Sequence, residues 1–440
     1  MFLNSFVCFN FFFPMGILYL MSEKTIENPC STKTIDVLDR SALVKIAKKL
    51  NIEGSGNGFT KPYRKKEYIK DNIQKVLKEK TIKKTVNENP ENSYFNPVKK
   101  LVAIGDIHGD LSCAIKALKL AGVISMDIPN NTLNVNNIKW TGGETYVVQL
   151  GDQIDRCRPS NWVNDICADD DSELYQDEGS DLKIICLFNK LAKQAKKAGG
   201  AMISILGNHE LMNVVGDFRY VSPREFREFG NYFKAKKTLK KSMYPFGYKE
   251  RKEAFEPGGL VARKLAQTRF SIVQVGSWIF VHGGLVPEVA KKYSLDDINR
   301  YVRNWLVGSK DQETKDAIDD LYHNDDDSYS PFWSRVFSDN EEWDEKNSVN
   351  MFNQVMENVN QRNCRGDKES AKGMVLGHSP QYMYDKGINS DCDNKLWRVD
   401  VGMSRAFGPL DEDEDTDTIN RKVQILLIQN DEKCKIIREE

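Results

Sequence analysis

Short apolar runs that stop abruptly at glycine or a polar residue set the pattern of this chain. Residues 101–104, 146–150, 201–206, 278–281, 374–376, 396–400 and 423–428 read as strands. Most of the runs are continuous instead of alternating, as in sheets covered on both faces by helices. Between them, residues 111–121 and 182–198 carry apolar side chains at helical spacing. Residues 216–268 are basic and aromatic and read as a helical cap, and 310–363 as helix and loop. Alternating strands and helices predict an α/β architecture, whose ligands gather at the carboxyl ends of the strands.

The first hundred residues are different. Residues 1–20 are apolar and aromatic, but they lack a basic leader, and Asn4, Asn10 and Pro14 interrupt them. Residues 1–37 therefore read as an N-terminal extension; a signal anchor and an upstream start are the alternatives. A membrane association is not expected, and a cytoplasmic location is. Residues 38–84 predict a small helical module, with Leu43, Ile46, Ala47 and Leu50 on one stripe and Ile69, Ile73 and Leu77 on another. Residues 61–84 hold ten Lys/Arg against three Asp/Glu, which suits a solvated basic face or a weak nucleic-acid contact. The module resembles the helix–loop–helix units of the SAP and Rho N-terminal type. Residues 85–97 read as a linker, and 98–440 as the catalytic domain.

Composition narrows this only at a few points. A formal net charge of -1 argues against a whole-protein attraction to nucleic acid or anionic membrane. Nine scattered cysteines, an odd number with no Cys-x-x-Cys pair, predict reduced thiols. The acidic stretches 165–181 and 411–417 read as exposed loops. Histidine changes the picture most. There are five, and His108, His209, His282 and His378 each follow an apolar run in a glycine-flanked motif.

Five strands thus end in Asp106 and His108; Asp152, Asp155 and Arg156; Asn208 and His209; His282; and His378. Carboxylate, amide and imidazole donors without thiolates suit manganese, iron, zinc or magnesium. The donors are too many for one structural zinc. Two ions sharing a carboxylate can lower the pKa of a water held between them, and a neighbouring arginine can grip phosphate. That combination serves phosphoester hydrolysis by water.

The motifs Gly105-Asp-Ile-His-Gly109, Gly151-Asp-Gln-Ile-Asp-Arg156, Gly207-Asn-His-Glu210, His282-Gly-Gly284 and Gly377-His378 resemble, in order, the signature of the calcineurin-like metallophosphoesterases. Within them the chain is similar to the phosphoprotein phosphatase family and its Shewanella-like branch, through Trp140-Thr-Gly-Gly143, Gly207 to Asn213, Gly216-Asp-Phe-Arg-Tyr220 and Val399-Asp-Val-Gly-Met-Ser404. The resemblance implies a central β-sandwich flanked by helices. It implies two divalent ions (Mn2+, Fe2+ or Zn2+), with Asp106 and His108 on the first, Asp152 bridging, and Asn208, His282 and His378 on the second. His209 would be the general acid, held by Asp155, and Arg156 would bind phosphate. Arg335 is the candidate for a second phosphate contact, with Arg219 and Arg405 as rivals. The expected substrate is a phosphoprotein or phosphopeptide, cleaved by a metal-bridging hydroxide. The alternatives are a dinucleoside polyphosphate hydrolase related to the diadenosine tetraphosphatases, and a nucleic-acid-tethered adaptor with a vestigial site.

One position departs from the family: Cys157 stands where glycine is usual, which matters if the turn needs a positive φ. Cys157 otherwise reads as a small spacer, His323 as a surface residue, and Asp400 as a core hydrogen-bonding residue.

Overall fold

The computed structural model describes residues 40–49, 68, 69, 72, 93–158, 162, 163, 166, 167, 176–235, 243–339, 345–362, 369–408 and 416–440. The chain divides into two compact units, Met1–Asn89 and Pro90–Glu440. In the first, helix α1 (Arg40–Lys49) buries Leu43 and Ala47, one turn apart on the predicted stripe. The extension 1–37, most of the second stripe and residues 411–415 of the acidic stretch 411–417 lie outside the described residues; its end, 416 and 417, falls in a helix.

The second unit begins with strands β1 (Tyr94–Phe95) and β2 (Lys100–Ile104), then helix α2 (Leu111–Leu120) and β3 (Tyr146–Gln149). A small ribbon follows, β4 (Trp162–Val163) and β5 (Ile166–Cys167), then α3 (Asp181–Lys197) and β6 (Ala201–Ser204). Helix α4 (Asn208–Val215) follows, and α5 (Pro223–Tyr232), α6 (Tyr248–Phe255) and α7 (Leu260–Thr268) lie in the stretch read as a cap. Strands β7 (Ile272–Val275) and β8 (Trp278–Val281) precede α8 (Pro287–Lys292), α9 (Leu295–Leu306), α10 (Gln312–Leu321) and α11 (Glu345–Arg362). The chain closes with β9 (Gly373–Leu376), β10 (Asn389–Asp391), β11 (Leu396–Arg398), α12 (Thr416–Arg421), β12 (Gln424–Gln429) and β13 (Lys433–Arg438).

The strands form the two sheets of the sandwich, ordered β13-β12-β2-β3-β6 and β1-β7-β8-β9-β11-β10. In the first, β2, β3 and β6 run parallel; in the second, β8, β9 and β11 do. Val102, Val147, Ile279 and Met374 are among the fully buried strand residues, which is why these runs carry no polar alternation. The sheets meet where Phe95 packs edge-on against Tyr146 and Phe270, and where the Asp431 carboxylate accepts from the Ser277 N–H. The carboxyl ends of β2, β3, β6, β8 and β9 carry the motif residues.

Two boundaries shift from the sequence reading. The sheet begins at Tyr94, inside the stretch read as a linker, and Ser93 bonds to Asp296. The acidic stretch 165–181 is not all exposed loop: Asp177 and Asp181 are buried, because one accepts from Ser222 and the other meets Arg251. No helix among the described residues is long and apolar enough to cross a membrane.

Candidate metal centre

Backbone strain marks the centre. His108, Asp152, Asp155 and His378 all have positive φ, between 45° and 73°, a region costly for residues with a Cβ. Hydrogen bonds across the strand ends hold them there. The Ile107 and His108 N–H groups donate to the Asp152 carbonyl, the His378 N–H to Asp106 Oδ2, and the His209 N–H to Asp152 Oδ1. Glu210, wholly buried, accepts from the N–H groups of Asp152, Gln153 and Gly207, so one carboxylate ties two motifs together. Burial, then the Asp152 charge, pushes Glu210 up to about 8.

The donors converge on Asp152. Its Oδ2 lies 3.8 Å from His108 Nε2, 3.8 Å from His209 Nε2 and 3.4 Å from His282 Nε2. Asp106 Oδ2 is 3.9 Å from His108 Nε2. Asn208 Oδ1 lies 2.9 Å from His282 Nε2 and 3.0 Å from His378 Nδ1. Two groups close enough to share an ion result: His108, Asp152 and His209, and Asp152, His282 and His378. The far nitrogens of the second pair are anchored, His282 Nδ1 on the Leu150 carbonyl and His378 Nε2 on the Trp333 carbonyl. Such anchoring fixes which nitrogen faces an ion.

The residues fit divalent cations. Asp106 Oδ1 and Asp400 Oδ2 are buried acceptors with no hydrogen-bond donor. Burial first, then the charges of Asp400 and Asp152, drives Asp106 well above the usual carboxylate range. Carboxylates crowded in this way call for a counter-cation. Burial also pushes His108 and His378 down, toward the neutral imidazole that binds metal. The cradle excludes side chains: a Cβ at Gly207 would collide with Asp152 Oδ1, and one at Gly377 would sit 2.5 Å from Asp106 Oδ1. Asp400, read from sequence as a core residue, does accept from the Gly402 N–H, but it also faces this centre.

His209 Nδ1 lies 2.9 Å from Asp155 Oδ2. Asn213 donates to the same carboxylate, and Arg251 from α6 reaches its other oxygen at 3.0 Å. Neither contact was assigned from sequence: Asn213 closes the motif begun at Gly207 without a role, and Arg251 lies in the cap.

The arginines are arranged differently from expectation. Arg156 is buried, its N–H on Glu225 Oε1 and its guanidinium 3.9 Å from Asp110. Two residues later, Arg158 turns to the imidazoles, with Nη2 2.8 Å from His108 Nδ1 and 3.5 Å from His209 Nε2. Arg335 is exposed and donates to Ser379 Oγ, next to His378. Arg405 is engaged by Asp110 and Glu178, and Arg219 by Asp217. His323 packs against Trp305 and Tyr322, apart from the donors.

Cys157 is not among the residues with positive φ, so the departure from glycine causes no strain. It is not a free spacer either. It is disulfide-bonded to Cys167, with Cα atoms 6.4 Å apart, against the expectation of reduced thiols. Pairing needs Cα atoms within about 7 Å, a distance set by the fold and not by spacing along the chain.

The calcineurin-like phosphoesterase family model matches residues 99–402. The chain is 32% identical to Shewanella-like protein phosphatase 2 of Arabidopsis thaliana, over 71% of this chain and 73% of that protein. It is 29% identical to Shewanella-like protein phosphatase 1 of Plasmodium berghei, over 79% of this chain and 78% of that one. In structure it is similar to a cold-active protein tyrosine phosphatase, with a TM-score of 0.51, 19% identity, and 81% and 83% of the two chains covered; that likeness concerns the fold.

Proposed function

We propose that this chain, which belongs to the calcineurin-like phosphoesterase family and its Shewanella-like protein phosphatase branch, is a metal-dependent phosphatase acting on phosphoproteins. The observation that carries the reading is the convergence of both sheets' ligand residues on Asp152. Asp106, His108 and Asp152 would hold one divalent ion, and Asp152, Asn208, His282 and His378 the other. Manganese, iron and zinc all suit these donors. Such ions supply a water nucleophile at neutral pH and positive charge for phosphoryl oxygens.

The remaining roles belong to side chains of this protein. His209 is oriented by Asp155 through Nδ1, which leaves Nε2 to give a proton to the leaving oxygen. Asp155 stabilises the imidazolium without taking the proton. For phosphate, Arg335 is favoured over Arg219 and Arg405, whose guanidinium groups are held by carboxylates. Arg156 lies on Asp110 and Glu225, a bracing position, and its phosphate contact is the less direct of the two. Tyr220, Phe407 and Trp333 place rings about 5–6 Å from His209, His108 and His378, which would suit an aryl phosphate.

A panel of phosphoserine, phosphothreonine and phosphotyrosine peptides, run against dinucleoside polyphosphates with each metal supplied, tests this. Phosphate release from peptides supports the reading. Cleavage of the dinucleotides alone overturns it.

A further inference from the structure

We infer that Arg158 binds the reacting phosphoryl group from the side of His108 and His209. The inference rests on the phosphatase reading and adds a residue that the family motifs do not contain. Three observations carry it, the first being aim. Arg158 Nη1 donates to the carbonyls of Asp155 (3.1 Å) and Cys157 (2.7 Å), so one end of the guanidinium is pinned to its own loop. The other end, Nη2, faces both ring nitrogens of His108, at 2.8 and 3.0 Å, and His209 Nε2 at 3.5 Å.

The second observation is the slot. The guanidinium lies between the rings of Tyr220 and Phe407, 4.9 and 5.0 Å from their centroids. Its loop is tied down on both sides, since the Cys157 N–H donates to the Tyr220 carbonyl and the Cys157 sulfur is bonded to Cys167. A stacked, pinned guanidinium loses little further freedom on meeting a ligand.

The third is charge. Among the described residues no carboxylate forms an ion pair with Arg158; Asp152 and Asp155 act on it only through space. A half-buried cation without a paired anion is costly, and a bound anion relieves that cost. Imidazole lone pairs given to a metal ion can no longer accept from Nη2. The N–H groups then need other acceptors, and phosphoryl oxygens fit a planar guanidinium. Arg156 and Arg405 differ on this point, as both face Asp110.

The test uses the full-length, metal-loaded protein and its variants Arg158→Met and Arg158→Lys. Inorganic phosphate binding is followed by calorimetry and bound metal by elemental analysis. Arg158→Met should keep its metal content and weaken phosphate binding roughly ten- to hundredfold, the range for a hydrogen bond to a charged group. Arg158→Lys should recover part of that loss. If Arg158→Met does not fold, Arg158→Gln, which keeps donors but drops the charge, takes the same measurements. Unchanged phosphate affinity with metals intact overturns the inference, and so does loss of metal, which would make Arg158 a prop for His108. A wild type that binds phosphate yet hydrolyses no phosphopeptide defeats the phosphatase reading alone, and the variant affinities still decide Arg158. A wild type that binds no phosphate defeats both.

Discussion

Arg251 Nη2 lies 3.0 Å from Asp155 Oδ1, while the other oxygen of that carboxylate meets His209 Nδ1 at 2.9 Å. The orienting carboxylate is thus held from the helical cap. Arg251 is fully buried, also pairs with Asp181 at 2.7 Å, and packs on the rings of Phe229 and Phe255. Arg251→Met would leave two buried carboxylates without their cation. It should cost about 3–5 kcal/mol in urea unfolding, the range for breaking a buried pair from one side. A change below about 1 kcal/mol, the scale of a surface pair, would mean that water already reaches these carboxylates.

His209 sits within reach of an ion and is also held by Asp155, so geometry alone admits two roles. The general-acid role predicts that His209→Asn keeps its full metal content. It should slow phosphopeptide hydrolysis by roughly two to four orders of magnitude. The defect should shrink on nitrophenyl phosphate, whose leaving group needs little protonation. Asp155→Asn should act in the same sense, more mildly. Loss of about one equivalent of metal from His209→Asn, by elemental analysis against the range of multi-ligand sites, would make it a ligand.

What could be read from sequence followed from burial. Strands enclosed on both faces appear as unbroken apolar runs, so β2, β3, β6, β8 and β9 and the residues at their ends were legible. Strand β13 was not, because it is an edge whose residues are mostly exposed and half of them charged. The short β1 carries too few residues for any periodicity. At the centre, Asp106, His108, Asn208, His282 and His378 stood out as candidates because each lies beside a glycine at a strand exit. Arg158 was missed because adjacency to Asp155 favours Arg156. With φ at 73° for Asp155 the chain turns there, and Arg156 goes to Asp110 while Arg158 reaches the imidazoles. The contact of Arg251 with Asp155 depends on how distant segments pack, which no local pattern encodes, and that of Cys157 with Cys167, ten positions on, depends on how the chain turns back.

Chelation should destabilise the protein, since Asp106 would keep a buried, unsatisfied acceptor and its crowding by Asp400 would go uncompensated without a cation. Asp400 accepts a backbone bond and has no place among the proposed ligands. Asp400→Asn should therefore raise the stability of the chelated protein by about 1 kcal/mol, by removing one crowded charge. Differential scanning of both proteins with and without chelator checks this. An equal fall in both would show that Asp400 does not add to the crowding.

Lys264 on α7 gives a pH dependence away from the centre. Burial first, then Lys193 and Arg269, lowers its pKa to about 8. Its folded value lies below the unfolded one, so the unfolded chain binds more protons between the two. Stability attributable to this group should therefore rise as pH climbs from about 8 to about 10.5. Lys264→Met should stabilise the protein at pH 7, by about 1 kcal/mol once solvent screening is allowed for. That advantage should shrink by pH 10. Denaturant titrations at both values test the sign, and an advantage that grows with pH refutes it.

Truncation separates the two units, and the place of the cut matters. All the proposed ligands follow residue 100, so removing residues 1–89 should leave hydrolysis of an aryl phosphate within about twofold, a barrier change well under 1 kcal/mol. Removing residues 1–95 should not be harmless. Tyr94 and Phe95 pair with Gln274 and Val275, the Ser93 carbonyl accepts from the Gln274 N–H, and Ser93 Oγ joins Asp296 and Asn299. Phe95 also packs edge-on against Tyr146 and Phe270, both on the side of the other sheet. Loss of this half-buried ring should cost less than about 3–5 kcal/mol, the range for a fully buried aromatic, and the orphaned polar partners of Ser93 add to it. The shorter protein should therefore melt well below the longer one, although both retain every ligand. If the two cuts gave equal melting temperatures, β1 would be dispensable; if the cut at 89 abolished activity with metals still bound, the first unit would be part of the catalytic machinery.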